Sequence, residues 1–394
     1  MRLDLRFVLG LFISSFALSS TSFAQQVGFG GGELTRSGDC LTQDQLAAVR
    51  EVMREHGLRE QAAAGLPPGA LAASSSPPKF TFYPMGANLY GDVFVNNFND
   101  LDGSSDILDW DCTGHTYNGH DATDDDLRGF DEQEIGVPIF AALDGTVIGL
   151  NDGEPDRNTN CSSPQANYVI LAHAGGRNTY YWHMKTGSVA VTMGQSVRAG
   201  EQIGLVASSG CSTAPHLHFA TYDNFGSTRV EPFTGACNPG ASQWEEQPEL
   251  RRDLYIGDMN FTDANIAQFR GLPFSIPRSV SLPRGVRPAR FWIQAYNLPA
   301  GSTWRVRYRR PNGTTAFDSG TQNFNNASGF RSSWWWWAYS LNFDQVGTWR
   351  AEIELDGSLV QSVPVEIVPI AAAIQNRAPS PVGARFDPPL VTLD

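Results

Sequence analysis

Two stretches of this chain change character at every residue. Trp304, Val306 and Tyr308 interleave with Arg305, Arg307 and Arg309, and Trp349, Ala351, Ile353 and Leu355 interleave with Arg350, Glu352 and Glu354. Neighbouring side chains of a strand point to opposite faces, so this period of two admits a half-buried β-strand and excludes a helix. Asn312-Gly313 and Asp356-Gly357 stand where hairpin turns belong, and the pattern predicts an immunoglobulin-like β-sandwich over residues 258–370. The same region holds Trp334-Trp335-Trp336-Trp337. Alternation sends one pair, 334 and 336 or 335 and 337, into the core. The other pair must then be covered by a neighbour or used as a binding face. Cover is the reading in front, because the region carries no further sign of a carbohydrate site.

Upstream, residues 80–250 also read as mainly β. Val137–Ala142 and Thr146–Leu150 flank Asp144-Gly145, a hairpin signal. Tyr168–Ala172 turns at Gly175-Gly176 into Thr179–Trp182. A chain of 394 residues with 41% hydrophobic and 18% charged residues has material for two or three cores and is not disordered. Its formal net charge of −13 argues against nucleic-acid binding and against attachment to an anionic wall by charge alone.

The first residues predict export. Arg2 and Arg6 precede an apolar run from Phe7 to Leu18, and Ser22-Phe23-Ala24 ends in small residues. This is the layout of a signal peptide over 1–24, with a run too short to span a bilayer. No membrane span is expected after its removal. Residues 25–79 read as a pro-segment or a spacer. In it, 25–40 is Gly- and Ser-rich and expected to be loose. Thr42 to Gln45 forms a capping box before Leu46, Val49, Val52 and Met53 at helical spacing, with Gly57 as the C-cap of one short helix. Residues 371–394 form a Pro- and Ala-rich tail.

The chemistry is carried by histidines. Of the chain's 7, all but His56 fall between His115 and His218. His216-Leu217-His218 continues into a strand, so both imidazoles share a face. His120 and Asp124 share a face if their segment is extended, and Tyr181-Trp182-His183 ends an aromatic strand. Histidines with one carboxylate match a catalytic metal site with an open position. No C-x-x-C motif offers a structural zinc site.

These motifs fall in a recognisable order. His120-x-x-x-Asp124 is followed by Gly136-Val137-Pro138-Ile139-Phe140-Ala141-Ala142, with Gly145 and Val147. Then come Tyr181-x-His183-Met184, Gly194-Gln195-x-Val197-x-Ala199-Gly200-Glu201-x-Ile203-Gly204, Ser208-Ser209-Gly210 and Pro215-His216-Leu217-His218-Phe219. The stretch from about 110 to 235 resembles the lysostaphin/LytM-type zinc metallopeptidases. The resemblance implies a compact antiparallel β peptidase domain over 80–250. It implies Zn2+ held by His120, Asp124 and His218, and His183 and His216 as the catalytic histidines that do not bind metal. The substrate implied is peptidoglycan cross-links or, as in some members, glycine-rich proteins. A bacterial, secreted or periplasmic monomer is expected. The alternatives are a non-catalytic regulator or cell-wall binding protein that keeps the motifs, and a glycine-directed, elastin-type secreted protease. One departure is Asp121-Ala122-Thr123 between the ligands, where the family usually has a glycine, followed by Asp125 and Asp126.

His115 and His173 are expected to be structural, and the acidic stretch Asn99 to Asp109 an acidic loop rather than a calcium site. Among the cysteines, Cys211 stands in the turn before the His216 strand and Cys161 before a neighbouring strand, which favours Cys161–Cys211. Cys112–Cys237 follows by elimination, leaving Cys40 odd.

Overall fold

The computed structural model describes residues 25–33, 41–66, 76–87, 93–159, 165–262, 265, 278–279 and 281–370. The expected leader over 1–24, Cys40, Cys161 and the tail 371–394 lie outside the described residues. The fold is mainly β, as the alternation requires, with two α-helices among the described residues.

The middle of the chain builds an antiparallel sheet. Its order is β2 (Val93–Asn97), β3 (Thr123–Leu127), β10 (His216–Asp223), β7 (Asn178–Met184), β6 (Asn167–Ala172), β5 (Gly145–Asn151) and β8 (Ser196–Val197), with β11 (Thr228–Arg229) also paired to β10. A separate pair joins β4 (Pro138–Phe140) to β9 (Gln202–Leu205). β6 and β7 form the hairpin expected at Gly175-Gly176, both of which have positive φ. The hairpin expected at Asp144-Gly145 does not form. β5 pairs with β6 and β8, while β4 pairs with β9. The physical reason for the glycine is different: a Cβ on Gly145 would lie 2.6 Å from Nδ1 of His173. Asp144 accepts the Ala199 amide at 2.8 Å, so the pair makes a corner between two sheets.

The large sheet buries both faces. On one lie Val95, Leu127, Val169, Tyr181, Leu217 and Phe219. On the other lie Ile148, Ile170, Tyr180, Trp182, Ala220 and Tyr222, covered by Leu46, Val49 and Met53 of helix α1 (Gln43–Ala63). The helix starts at the expected capping box, Gln45 N donating to Thr42 Oγ1 at 3.2 Å and Thr42 N to Gln45 Oε1 at 2.8 Å. It does not stop at Gly57. Phe225 packs there, and a Cβ would sit 2.5 Å from its ring, so the glycine serves helix-to-loop contact rather than termination. A second, short helix, α2 (Phe130–Ile135), follows β3.

The last third forms two sheets face to face. One has the order β1 (Gln25–Glu33), β18 (Phe330–Phe343), β14 (Gly285–Leu298), β12 (Tyr255–Thr262). The other has β13 (Ser281–Pro283), β20 (Ser358–Val368), β19 (Gly347–Leu355), β15 (Thr303–Arg309) and β16 (Thr315–Asp318), with β17 (Gln322–Asn323) beside β15. Trp304, Val306, Tyr308, Trp349, Ile353, Trp335 and Trp337 meet in the core between them.

Over 25–33, β1 stands where the sequence suggests a loose segment across 25–40; residues 34–40 lie outside the described residues. Its glycines are fitted to the tryptophan run: a Cβ on Gly28 or Gly30 would come within 2.7 or 2.8 Å of the Trp336 indole. Phe29, between them, stacks on Trp304 and Trp335. The outward pair is thus Trp334 and Trp336. Trp336 lies over the glycine strand. Trp334 is buried and stands opposite Gln294, whose side chain donates to the Arg128 carbonyl at 2.9 Å. The cover reading therefore describes this pair. On the same side Phe94 stacks on Tyr296 with centroids 4.2 Å apart, and Arg128 donates to the Gly257 carbonyl.

Candidate metal centre

The pairing of β3 with β10 places the charged groups. In register, His218 stands opposite Asp124 and His216 opposite Asp126. Directly opposed residues share a face, here the face that also bears Ala220 and Tyr222. His120 stands ahead of β3 and is fixed by its backbone. Its carbonyl accepts from Asp100 N at 2.8 Å and Arg229 Nη1 at 3.1 Å, and its Nδ1 bonds to the Phe98 carbonyl at 2.8 Å. A carbonyl only accepts, so Nδ1 carries the proton and Nε2 presents a lone pair. That lone pair faces Asp124 Oδ2 at 3.0 Å, and Asn97 Nδ2 donates to the same oxygen at 3.0 Å. The other carboxylate oxygen lies 3.0 Å from His218 Nδ1. One atom from each of His120, Asp124 and His218 lies within 4.8 Å of the others.

His183 and His216 stand beside this trio, with ring centroids 4.4 Å apart. Each gives its Nδ1 proton to a backbone carbonyl, His183 to Ser209 at 2.6 Å and His216 to Ala214 at 2.8 Å, so each presents Nε2. That of His216 is 3.9 Å from Asp124 Oδ1. His183 has φ of 62°, a left-handed conformation uncommon for a residue other than glycine.

All five side chains are buried. Burial pushes the Asp124 carboxyl up, but His120, His218 and His216 together hold it well below the usual carboxylate range. Burial pulls His218 down, yet Asp121 and Asp124 raise it to about 9. His183 is held well below its ordinary value by burial and then by His216. A buried lone pair opposite a buried carboxylate needs a proton or a cation between them. Two imidazole nitrogens and one carboxylate oxygen are a donor set that suits zinc, so the residues fit that ion.

Residues 128–232 match the sequence model of Peptidase family M23. The chain carries an M23 peptidase domain. The match contains His183, His216 and His218, and begins just after His120 and Asp124. The DD-carboxypeptidase/endopeptidase Mpg of Neisseria meningitidis is 30% identical over 36% of this chain and 29% of its own length. The peptidoglycan DD-endopeptidase ShyA of Vibrio cholerae is 34% identical over 22% of this chain and 17% of its own. The chain thus spans under a third of the length of these relatives. The catalytic domain of lysostaphin from Staphylococcus simulans is 25% identical, covering 36% of this chain and 87% of that one with a TM-score of 0.24.

Around the M23 domain's histidines, several other acidic and imidazole groups have structural places. Asp125 is buried on the opposite face, where Tyr83 donates to its carboxylate at 2.9 Å; burial and then Asp124 and Asp126 push it up to about 8. It is not the solvated carboxylate its sequence neighbours suggest. Asp100 accepts from the amides of Asp102, Leu108 and Gly119, and Asp109 from those of Asp111, Thr113 and His115. Their oxygens organise the loop by accepting its backbone amides. His173 bonds to the Asp144 carbonyl and Thr179 Oγ1, and the His115 carbonyl accepts from Phe98 N. Cys112 is bonded to Cys237, tying residues 125 positions apart, and Cys211 is also disulfide-bonded. Sequence reasoning missed Asn97 and Arg229, which reach Asp124 and His120 from strands distant in sequence. Asp121 and Tyr222 were missed too, though Asp121 adjoins His120 in sequence.

Proposed function

We propose that this protein is a secreted or periplasmic zinc metalloendopeptidase that hydrolyses peptide bonds in peptidoglycan cross-links. We take residues 80–250 as its peptidase domain and 258–370 as a β-sandwich domain. The observation that carries the reading is the lone pair of His120 opposed to the buried Asp124 carboxylate, with His218 on its other oxygen. The M23 match and the endopeptidase relatives support the reaction class.

His120, Asp124 and His218 hold the ion. Bound zinc supplies an acidic water and polarises the scissile carbonyl. His183 and His216 present Nε2 toward the same space. One takes on Nε2 the proton released from the attacking water, and the other, when its Nε2 is itself protonated, donates from that N–H to the oxyanion that forms on the scissile carbonyl. Their Nδ1 protons are spent on backbone carbonyls, which fixes both rings in the orientation that this exchange needs.

His218→Ala tests the reading. Zinc content and lysis of purified peptidoglycan should be lost together, and muropeptide mass spectrometry of the wild-type digest names the bond cut. Cleavage of Gly-Gly peptides instead would assign a glycine-directed protease. The burial of all five side chains favours one second reading, a regulator whose groove stays closed. Zinc bound without any lysis would establish it.

A further inference from the structure

His218 has carboxylates on both sides. Its Nδ1 faces Asp124, and its Nε2 lies 3.5 Å from Asp121 Oδ1. Asp121 is buried, and its other oxygen accepts the Tyr222 hydroxyl. It lies outside the trio whose ligand atoms cluster together. Tyr222 is on β10, four residues beyond His218 and on the same face, and the small Ala220 between them leaves room for one carboxylate to reach both. The tyrosine is itself held, with the Arg50 guanidinium of α1 over its ring at 5.2 Å.

We propose that Asp121 and Tyr222 are positioning residues for the metal centre. Asp121 accepts a hydrogen bond from the Nε2–H of His218, which keeps the proton on Nε2 and fixes the tautomer so that Nδ1 turns its lone pair toward His120 and Asp124. Tyr222 holds the Asp121 carboxylate in that line. An outer carboxylate of this kind also makes the imidazole a better donor to a cation. The proposal rests on the metal-centre reading above. It explains why an aspartate directly follows the first ligand, where a solvated acidic loop is otherwise the obvious account.

The test is zinc affinity, measured on the full chain by competition with a chromophoric chelator. Asp121→Asn should raise the zinc dissociation constant by roughly 10–100-fold, and Tyr222→Phe should raise it less, with the metal-free fold unchanged by circular dichroism. In the zinc-loaded wild type, 15N spectra of the histidine rings should place the His218 proton on Nε2. This second readout stands even if Asp121→Asn fails to fold. Wild-type affinity in a folded Asp121→Asn, or a His218 proton on Nδ1, would overturn the proposal while leaving the metal centre intact. A wild-type protein that takes up no zinc would overturn both.

Discussion

Two ladders of opposite charge run across paired strands in this molecule. In the sandwich, β15 and β19 set Arg307 opposite Glu352 and Arg305 opposite Glu354, and Arg307 and Arg309 share the Glu352 carboxylate at 3.2 and 3.1 Å. In the large sheet, β3 and β10 set Asp124 opposite His218. The pairing geometry is the same, but the surroundings are not. The arginine ladder keeps contact with solvent and balances its own charges. The buried ladder offers one carboxylate to several imidazoles and leaves acceptors facing each other, an arrangement suited to a divalent cation. Register alone therefore does not make a site; burial without internal balance does.

The largest expected break of this contrast is His183→Ala. It should lower turnover by about 10²–10⁴-fold, the usual range for a lost proton-transfer group, while zinc content stays at the wild-type level. Metal loss in this variant would place His183 among the ligands. Next is the cover over the buried ladder's face. Met53 of α1 is fully buried, and Met53→Ala should destabilise by about 2–5 kcal/mol in thermal or urea unfolding. A change under 1 kcal/mol would mean that the helix rests on the sheet without contributing to its stability.

Glu231 sharpens the contrast by showing how a buried carboxyl behaves with no cation beside it. Burial, then Asp109, push it up to about 8 from an ordinary 4.5, against the pull of Phe233 and Asn99. A group raised in the folded state contributes stability that is complete below the unfolded value and is lost as pH rises through the folded one. Between these two pH values it should give a slope of up to about 1.4 kcal/mol per pH unit. Glu231→Gln should flatten that slope, and an unchanged pH profile of unfolding would contradict the assignment. The smallest effect belongs to the half-buried arginine ladder. Arg307→Gln should change stability by no more than about 1 kcal/mol, and a larger loss would show that its carboxylates depend on it.

Much of this was legible from local pattern. The alternation in 303–309 and 347–355 forecasts which side chains face the sandwich core, because a strand's period is fixed by its backbone. His216 and His218 are legible for the same reason. What was not legible depends on distant partners. Nothing near Gly57 announces Phe225, and nothing near Gly145 announces the His173 ring, so both glycines read as local punctuation. Asn97 and Arg229 reach the site from strands whose approach only the folded sheet order reveals. The glycine run of 25–33 looks loose until the Trp336 indole that it accommodates comes into view.

That run also bears on how the chain folds. β18 pairs with β14 on one side and with β1 on the other, and β1 lies roughly 300 residues earlier in the chain, a separation that makes closure slow. Until β1 arrives, β18 presents an open edge beside its tryptophans, the kind of edge that invites pairing with another chain. The vulnerable moment for this protein is therefore its assembly rather than its finished state. Refolding yields should fall as protein concentration rises, and a synthetic peptide of residues 25–33, added during refolding, should compete for the vacant edge.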